Sequence, residues 1–442
     1  MATAVPYPSP QPPLQAADQS FVIRMFQIAR KGTLAVADQA LFSGANFTVN
    51  ILLARWLSTN EYGAYSLALA VFLLFAALHS AILIEPMMVF GSGKYSARFA
   101  RYLGVLLTGH CSVMIPGCAL LYAAALMLRR FYSPEAWRAC LGLAFAASAI
   151  LLFWLVRRVF YALLQPSWGV VSGALYFVFL LTAIFALKVT NRLSTMTAFL
   201  AMGAAGLLAS ILLLWRFVPA WKSGTAGPTI QEAAVQHWRY GRWAMASAVI
   251  GWFPGHVYYA LLPAWLGLEG AAGLRALMNF VLPVLQAISA LTMLLLPILV
   301  RDRQAGGAER MNRTMVLFLM IFCTGSAIYL LGLWIFRDSI FQTFYGGKYS
   351  QYAGWPLFLT GLLPLGTCAS AVLGDALRAL ERPDSIFWCY AGSVIGAVAV
   401  GIPLSAWMGV TGALAGLLAS SFITVLMMGW SYKKALEQAG EV

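Results

Sequence analysis

The chain has 442 residues, 61% of them apolar and only 10% charged, with a mean hydropathy of +0.79. Soluble domains carry roughly a quarter of their residues as Asp, Glu, Lys and Arg, and the 29 basic and 15 acidic side chains here are too few to cover them. The apolar residues fall in blocks of about 20, enough to cross the hydrocarbon core of a bilayer, which excludes a cytosolic enzyme, a nucleic-acid binder and a disordered scaffold and predicts an all-α polytopic membrane protein.

In chain order, residues 1–20 are rich in Pro, Ala and Gln, with five prolines before position 14, and are expected to be disordered. No short apolar region ending at a small-residue cleavage site follows, so this is no signal peptide. Residues 1–35 read as a tail and cytoplasmic lead-in carrying Arg24, Arg30 and Lys31. Twelve spans follow, at about 36–56, 62–84, 103–127, 139–156, 169–188, 195–215, 243–266, 273–300, 314–336, 353–373, 386–407 and 411–429. Residues 431–442 form a second cytoplasmic tail.

The net charge of +14 is scattered through short loops, with no run of five basic residues. With the N-terminus inside, nine of the 29 basic residues face outward: Arg55, Arg129, Arg130, Arg138, Lys188, Arg192, Arg275, Arg337 and Lys348. The rest fall on the cytoplasmic side, as the positive-inside rule requires. The longest loop joins spans 6 and 7. It contains Pro219, Lys222, Gly224, Gly227 and Pro228, and residues 217–242 read as a linker between six-helix bundles at 36–216 and 243–430. Trp56-Leu57 followed by Glu61 and Gly63 parallels Trp265-Leu266 followed by Glu269 and Gly273, which suggests a parallel repeat about an axis along the membrane normal.

Polar groups inside the spans are the candidate functional residues. Gln39, Ser43, Asn46 and Asn50 fall within about 60° of one another on span 1 at 100° per residue. Arg275, Asn279, Gln286 and Ser289 form a similar stripe on span 8. Each stripe is either interhelical hydrogen-bonding glue or the lining of a central cavity. Pro254 and Gly255 predict a kink in span 7 beside His256, a candidate for proton or ion coupling. His79 and His110 are further intramembrane histidines. Asp38 and Glu85, at the inner ends of spans 1 and 2, are also coupling candidates, and Arg157 and Arg158 end span 4. Arg55 and Arg275 stand near the outer ends of spans 1 and 8 as candidates for a cavity mouth. Gly392-xxx-Gly396 and Gly412-xxx-Gly416 permit close helix packing within the chain. The six cysteines form no CxxC pair, so neither a disulfide framework nor a metal site is indicated. No outer loop exceeds about 16 residues, and GxxxxGK[ST], HExxH and GxSxG are absent, so no catalytic residues and no cofactor are expected.

The run Asp38-Gln39-Ala40-Leu41-Phe42-Ser43-Gly44-Ala45-Asn46-Phe47, then Leu53-Ala54-Arg55-Trp56-Leu57-Ser58 and Glu61-Tyr62-Gly63-Ala64-Tyr65, resembles the opening of the Wzx-like oligosaccharide flippases. These belong to the multidrug/oligosaccharidyl-lipid/polysaccharide (MOP) exporter superfamily, which also holds the multidrug and toxin extruders and the lipid II flippases. Leu268-Glu269-Gly270-Ala271-Ala272-Gly273-Leu274-Arg275-Ala276-Leu277 resembles the equivalent turn of the second half. The resemblance implies two bundles in a V around a cationic cavity. It also implies movement of a polyprenyl-diphosphate-linked oligosaccharide from the cytoplasmic to the outer leaflet of a bacterial inner membrane, for cell-surface polysaccharide biosynthesis, with both termini cytoplasmic. Arginines would hold the diphosphate by charge-assisted hydrogen bonds, with Arg55, Arg275, Arg157, Arg158, Asn46, Asn50, Asn279 and Gln286 as candidates. The implied partners are the lipid-linked sugar, membrane lipids, a polysaccharide polymerase and glycosyltransferases. The alternatives are a cation-coupled multidrug exporter of the same superfamily and a membrane subunit of a polysaccharide assembly complex.

Overall fold

The structure, a computed structural model, describes residues 14–131, 133–218 and 228–439. Helices form throughout, and the signals that start them are local. Ser58, Ser133, Ser194 and Thr229 each accept a backbone N–H three residues on, which satisfies a donor at a helix N-terminus. Pro134 and Pro166 stand in the first turns of their helices, where no amide donor is needed.

In chain order these are α1 (Leu14–Trp56), α2 (Thr59–His79), α3 (Glu85–Ser92), α4 (Phe99–Phe131), α5 (Pro134–Ala162), α6 (Pro166–Val189) and α7 (Thr195–Leu214). The second half comprises α8 (Ile230–His256), α9 (Tyr258–Leu266), α10 (Leu268–Ile335), α11 (Arg337–Tyr345), α12 (Trp355–Ala379), α13 (Pro383–Gly396) and α14 (Ile402–Ala439). A π-helical turn, Ser80–Ile84, joins α2 to α3, and another, Ala397–Gly401, joins α13 to α14. The run α10 holds two spans, broken at Gly306–Gly307 where Gly307 has φ +64°. Gly409, at φ +59°, breaks α14 in the same way. Only glycine takes these values without strain, and the breaks fall between the expected spans 8 and 9 and spans 11 and 12.

Among the described residues, nine helical stretches are long and apolar enough to cross a membrane, and one of them, Asp384–Gln438, contains two spans. The expected spans missing from this set are the first of each half, carried by α1 and α8–α9. They are the most polar, as helices that meet at a seam between two bundles need to be.

Two termini differ from expectation. Residues 1–13 of the expected disordered stretch lie outside the described residues, and from Leu14 the chain is helical. Residues 219–227 of the expected linker also lie outside them, and α8 begins at Ile230, inside that linker. A capping box explains the early start: Thr229 Oγ1 accepts from the Glu232 N–H at 3.2 Å, and Glu232 Oε2 accepts from the Thr229 N–H at 3.0 Å.

The distribution of the core shows how the halves meet. One cluster takes residues from both, from Ala45, Leu53 and Tyr65 through Leu274, Phe341 and Val410. It occupies the end of the molecule where α1 finishes at Trp56. Toward the opposite end, where Asp38 lies, the core splits. Ile84, Tyr102, Val156 and Phe160 belong to one cluster, and Ile288, Met311, Val372 and Leu436 to another. The halves are therefore fused at the Trp56 end, and at the Asp38 end the core divides in two, with the start of α8, including Ala233, packed in the first half's cluster.

The fused end is sealed by close approach. A Cβ on Gly63 would meet the Leu268 carbonyl oxygen at 1.9 Å, so no larger residue fits there. The Arg55 Nη1 donates to the Thr343 carbonyl at 2.6 Å, and Lys348 Nζ donates to the carbonyls of Arg55 and Leu57 at 2.7 and 2.6 Å. The glycine pairs of the last two spans pack within the chain, Gly396 against Ser420 and Ile423 and Gly416 against Gly401. Phe145, Trp388, Trp407 and Phe422 are among many large apolar side chains left exposed, as a lipid-facing surface requires.

Candidate functional site

The polar stripes of α1 and α10 face each other. Arg275 donates from Nε and Nη2 to Asn50 Oδ1, at 3.1 and 3.0 Å. Gln39 Nε2 donates to Gln286 Oε1 at 3.1 Å, about three helical turns nearer the Asp38 end. Between these rungs Asn46 Nδ2 donates to the Phe42 carbonyl at 2.9 Å, and its Oδ1 lies 3.5 Å from the Tyr176 hydroxyl. The two stripes thus form a hydrogen-bonded seam between the halves. The side chains of Ser289 and its neighbours lie outside the described residues.

At the fused end of this seam sits Arg275. It is half-buried, and tyrosines surround it: Tyr259 is a hydrogen-bond partner, and Tyr62 and Tyr65 lie within electrostatic reach. The Asn279 amide, one turn on, donates to the Tyr62 hydroxyl at 2.9 Å, and the Tyr345 hydroxyl donates to the Ala276 carbonyl at 2.8 Å. Tyr62 stacks on Tyr65 and tilts against Tyr349, which Tyr345 meets edge-on, and these four rings form a plug beside Arg275. Among the described residues, no carboxylate forms an ion pair with Arg275. Its charge rests on an amide oxygen and phenol oxygens, an arrangement that leaves the guanidinium able to take an anion.

Arg157 is built the opposite way. Its Nε lies 3.0 Å from both Asp38 oxygens and its Nη2 lies 2.8 Å from Oδ2. The Tyr161 hydroxyl donates to the same carboxylate, and Arg157 Nη2 also donates to Gln39 Oε1 at 3.1 Å. The guanidinium sits over the Phe42 ring at 4.4 Å. Glycines on α6 make room: a Cβ on Gly173 would lie 2.7 Å from Asp38 Oδ1. Asp38 is fully buried and already neutralised. Arg158, next in sequence, is exposed.

The remaining sequence candidates are dispersed. Arg55 belongs to the seal described above. Glu85 is exposed at the start of α3. His256 closes α8 two residues after Pro254, and α9 resumes at Tyr258, so the expected break is present. Its Nδ1 donates to the Trp252 carbonyl at 2.9 Å and its ring stacks on Trp252. The seam therefore unites Arg275, Asn50, Asn46, Asn279 and Gln286, and through Gln39 it touches Asp38 and Arg157. Glu85, Arg158, Arg55 and His256 stand apart. Residue order gives the tyrosines around Arg275 no functional role: Tyr62 and Tyr65 enter only within the flippase-like run, and an aromatic in a span reads as core.

Neither a family model nor a curated protein sequence matches the chain. Solved structures do. A multidrug resistance MATE family transporter of the MOP superfamily, in an inward-facing conformation, aligns over 90% of this chain and 96% of that one, at 13% identity and a TM-score of 0.71. The lipid II flippase MurJ, in an inward closed conformation, aligns over 93% of this chain and 87% of that one, at 13% identity and a TM-score of 0.72. A eukaryotic MATE transporter, AtDTX14, aligns over 95% and 98%, at 15% identity and a TM-score of 0.67. The chain has the fold of MOP superfamily transporters. At these identities the likeness fixes architecture and leaves the substrate to be argued from the site.

Proposed function

We propose that this chain is a flippase that carries a lipid-diphosphate-linked oligosaccharide from the cytoplasmic to the outer leaflet by alternating access. The observation that carries the reading is Arg275, a guanidinium at the closed end of the seam whose partners are neutral oxygens. A diphosphate would supply the missing negative charge through short charge-assisted bonds. The Asn50 amide is the group it would displace.

The seam suits a substrate with a lipid tail. The Gln39–Gln286 bond joins α1 to α10 with neutral partners, and such bonds between membrane helices are worth roughly 1 kcal/mol. Opening it would let the tail remain among lipids while the headgroup enters between the bundles. The divided core favours the Asp38 end as the one that parts. The basic residues between spans 2 and 3, Lys94, Arg98 and Arg101, lie at that end, which supports placing it in the cytoplasm.

The second reading, a multidrug exporter, draws on the likeness to MATE structures. A cationic drug needs an anionic or aromatic site. The tyrosine plug offers the rings, but Arg275 beside it opposes a cation, and the buried Asp38 carboxylate is committed to Arg157.

Reconstituted vesicles loaded with a fluorescent polyprenyl-diphosphate sugar test the proposal. Wild type should expose the label to an external quencher, Arg275→Gln should lose nearly all of this at unchanged protein abundance, and Arg275→Lys should retain part of it because charge remains without the planar donor fork. Unimpaired flipping by the Gln variant would overturn the assignment.

A further inference from the structure

The first half buries a second polar cluster away from the seam. The His79 Nε2 and His110 Nδ1 atoms lie 2.9 Å apart, and His110 Nε2 lies 3.1 Å from the Ser148 hydroxyl. The rings are 1% and 3% exposed, which removes them from water in this conformation. The remaining nitrogen, His79 Nδ1, is buried and has no hydrogen-bond partner among the described residues. A neutral pair holds two N–H protons on four nitrogens. With Nε2–H on His79 and Nε2–H on His110, one proton bridges the rings and the other reaches Ser148. His79 Nδ1 is then a bare lone pair. The opposite tautomers would strand an N–H donor there, and orphaned buried N–H groups are rarer than orphaned acceptors.

The groups facing the pair contribute no compensating charge. Ser148 comes from α5, and the nearby Cys118 from α4 approaches Ser148. From α8, His237 donates through Nδ1 to the Ile82 carbonyl at 2.8 Å while its Nε2 meets the Tyr102 hydroxyl of α4. Glu85 of α3 is turned to the surface. Among the described residues, neither His79 nor His110 forms an ion pair or hydrogen bond with a carboxylate, Lys or Arg.

His79 is also the last residue of α2, and the π-helical turn Ser80–Ile84 begins at the next position. This turn is where the second half docks. Besides the His237 bond, Gly241 of α8 lies so close that a Cβ would meet the Ala81 carbonyl at 2.9 Å and Ile82 Cα at 3.0 Å. A largely apolar cavity of about 330 Å³, lined by Ile82, Leu83, Gly109, Ala233 and His237, adjoins the turn and leaves it room to repack. Such π turns recur at functional sites in helices.

We propose that the His79–His110 pair is a proton-binding site, taking one proton on His79 Nδ1 in the conformation that admits water and returning it in the conformation seen here, and that the Ser80–Ile84 turn passes its occupancy to α8. No bond other than N–H forms or breaks. The proposal rests on the transporter reading only for its purpose, since proton binding and α8 movement are measurable without a substrate.

The test uses full-length protein in nanodiscs, with its six cysteines replaced and spin labels at Ala97→Cys and Ala305→Cys, both exposed at the Asp38 end of opposite halves. Between about pH 8 and pH 5.5, the range in which imidazole titrates, the wild-type interspin distance distribution should shift. In the same range nitrogen-15 histidine spectra, with four residues to assign, should show one proton taken up by the pair. His79→Gln keeps an N–H toward His110 and removes the basic nitrogen, so the pH response should fall at least about threefold. His79→Asn, which also lacks a basic nitrogen, should do the same if the first variant folds poorly. An unaltered pH shift in either folded variant, or spectra in which neither ring titrates, would overturn the proposal. Absence of sugar-lipid flipping alongside an intact pH response would instead count against the substrate assigned above.

Discussion

Two arginines lie at opposite ends of one seam, and they are built for opposite purposes. Arg157 meets a buried carboxylate through three contacts of 2.8 to 3.0 Å and has a phenol, an amide and an aromatic face around the pair. Among the described residues, Arg275 meets one amide oxygen and a phenol, with no carboxylate. The first is a completed electrostatic unit that joins α1 to α5. The second is an incomplete one, held at the point where the two halves close. In the proposed reading the difference gives structural work to Arg157 and ligand work to Arg275, although both are arginines near the ends of spans.

Breaking the comparison at Arg157 should have the largest effect on stability. Asp38→Ala strands a buried cation, and removing one partner of such a pair costs about 3–5 kcal/mol. Thermal unfolding in detergent should show a collapse of the midpoint and of abundance. Arg275→Gln should leave the midpoint unchanged or raise it, since no partner carboxylate is stranded. Equal destabilisation by the two substitutions would erase the distinction.

Gly173→Ala sharpens the same contrast from the side of α6. A new Cβ 2.7 Å from Asp38 Oδ1 must push the helices apart, and overpacking of this kind costs about 1–3 kcal/mol. The alanine's better helix propensity offsets up to about 1 kcal/mol of that. A lower melting midpoint is the expected outcome. Gly251→Ala, where a Cβ meets nothing within 4 Å, should show no loss.

The smallest effect concerns the start of α8. The Thr229 backbone N–H, and then its hydroxyl, hold the Glu232 carboxyl below its ordinary range. A depressed carboxyl contributes stability above its unfolded-state pKa and loses it as pH falls through the folded-state value. Amide protection in residues 230–234, corrected for the intrinsic pH dependence of exchange, should therefore fall below about pH 4.5, and Glu232→Gln, which removes the titrating group, should abolish that pH dependence. Protection that is flat with pH in the wild type would mean the capping box is unformed.

Much of this was legible from residue order. The apolar blocks mark out spans that the helices follow, and the structure alone shows the breaks at Gly306–Gly307 and Gly409 between them. The periodicity of Gln39, Asn46 and Asn50, and of Arg275, Asn279 and Gln286, put each set on one helix face, and those faces meet. Periodicity could not decide what lay opposite. Asp38 and Arg157 are 119 positions apart and His79 and His110 are 31 apart, so each pairing is a product of tertiary packing. The π turn after His79 left no sequence signal, because Ser80–Ile84 reads as an ordinary continuation of an apolar helix. Nor did composition show that α8 starts within the expected linker, where the cue was the Thr229-x-x-Glu232 box.

The most direct measurement is equilibrium binding of a polyprenyl diphosphate, compared with the matching monophosphate and a cationic dye, to purified wild type and Arg275→Gln. Wild type should bind the diphosphate most tightly. The Gln variant should lose about 10- to 100-fold of that affinity, the equivalent of about 1.5–3 kcal/mol for a hydrogen bond to a charged group, with a far smaller change for the dye. Undiminished diphosphate binding by Arg275→Gln, or a wild-type preference for the cation, would contradict the account.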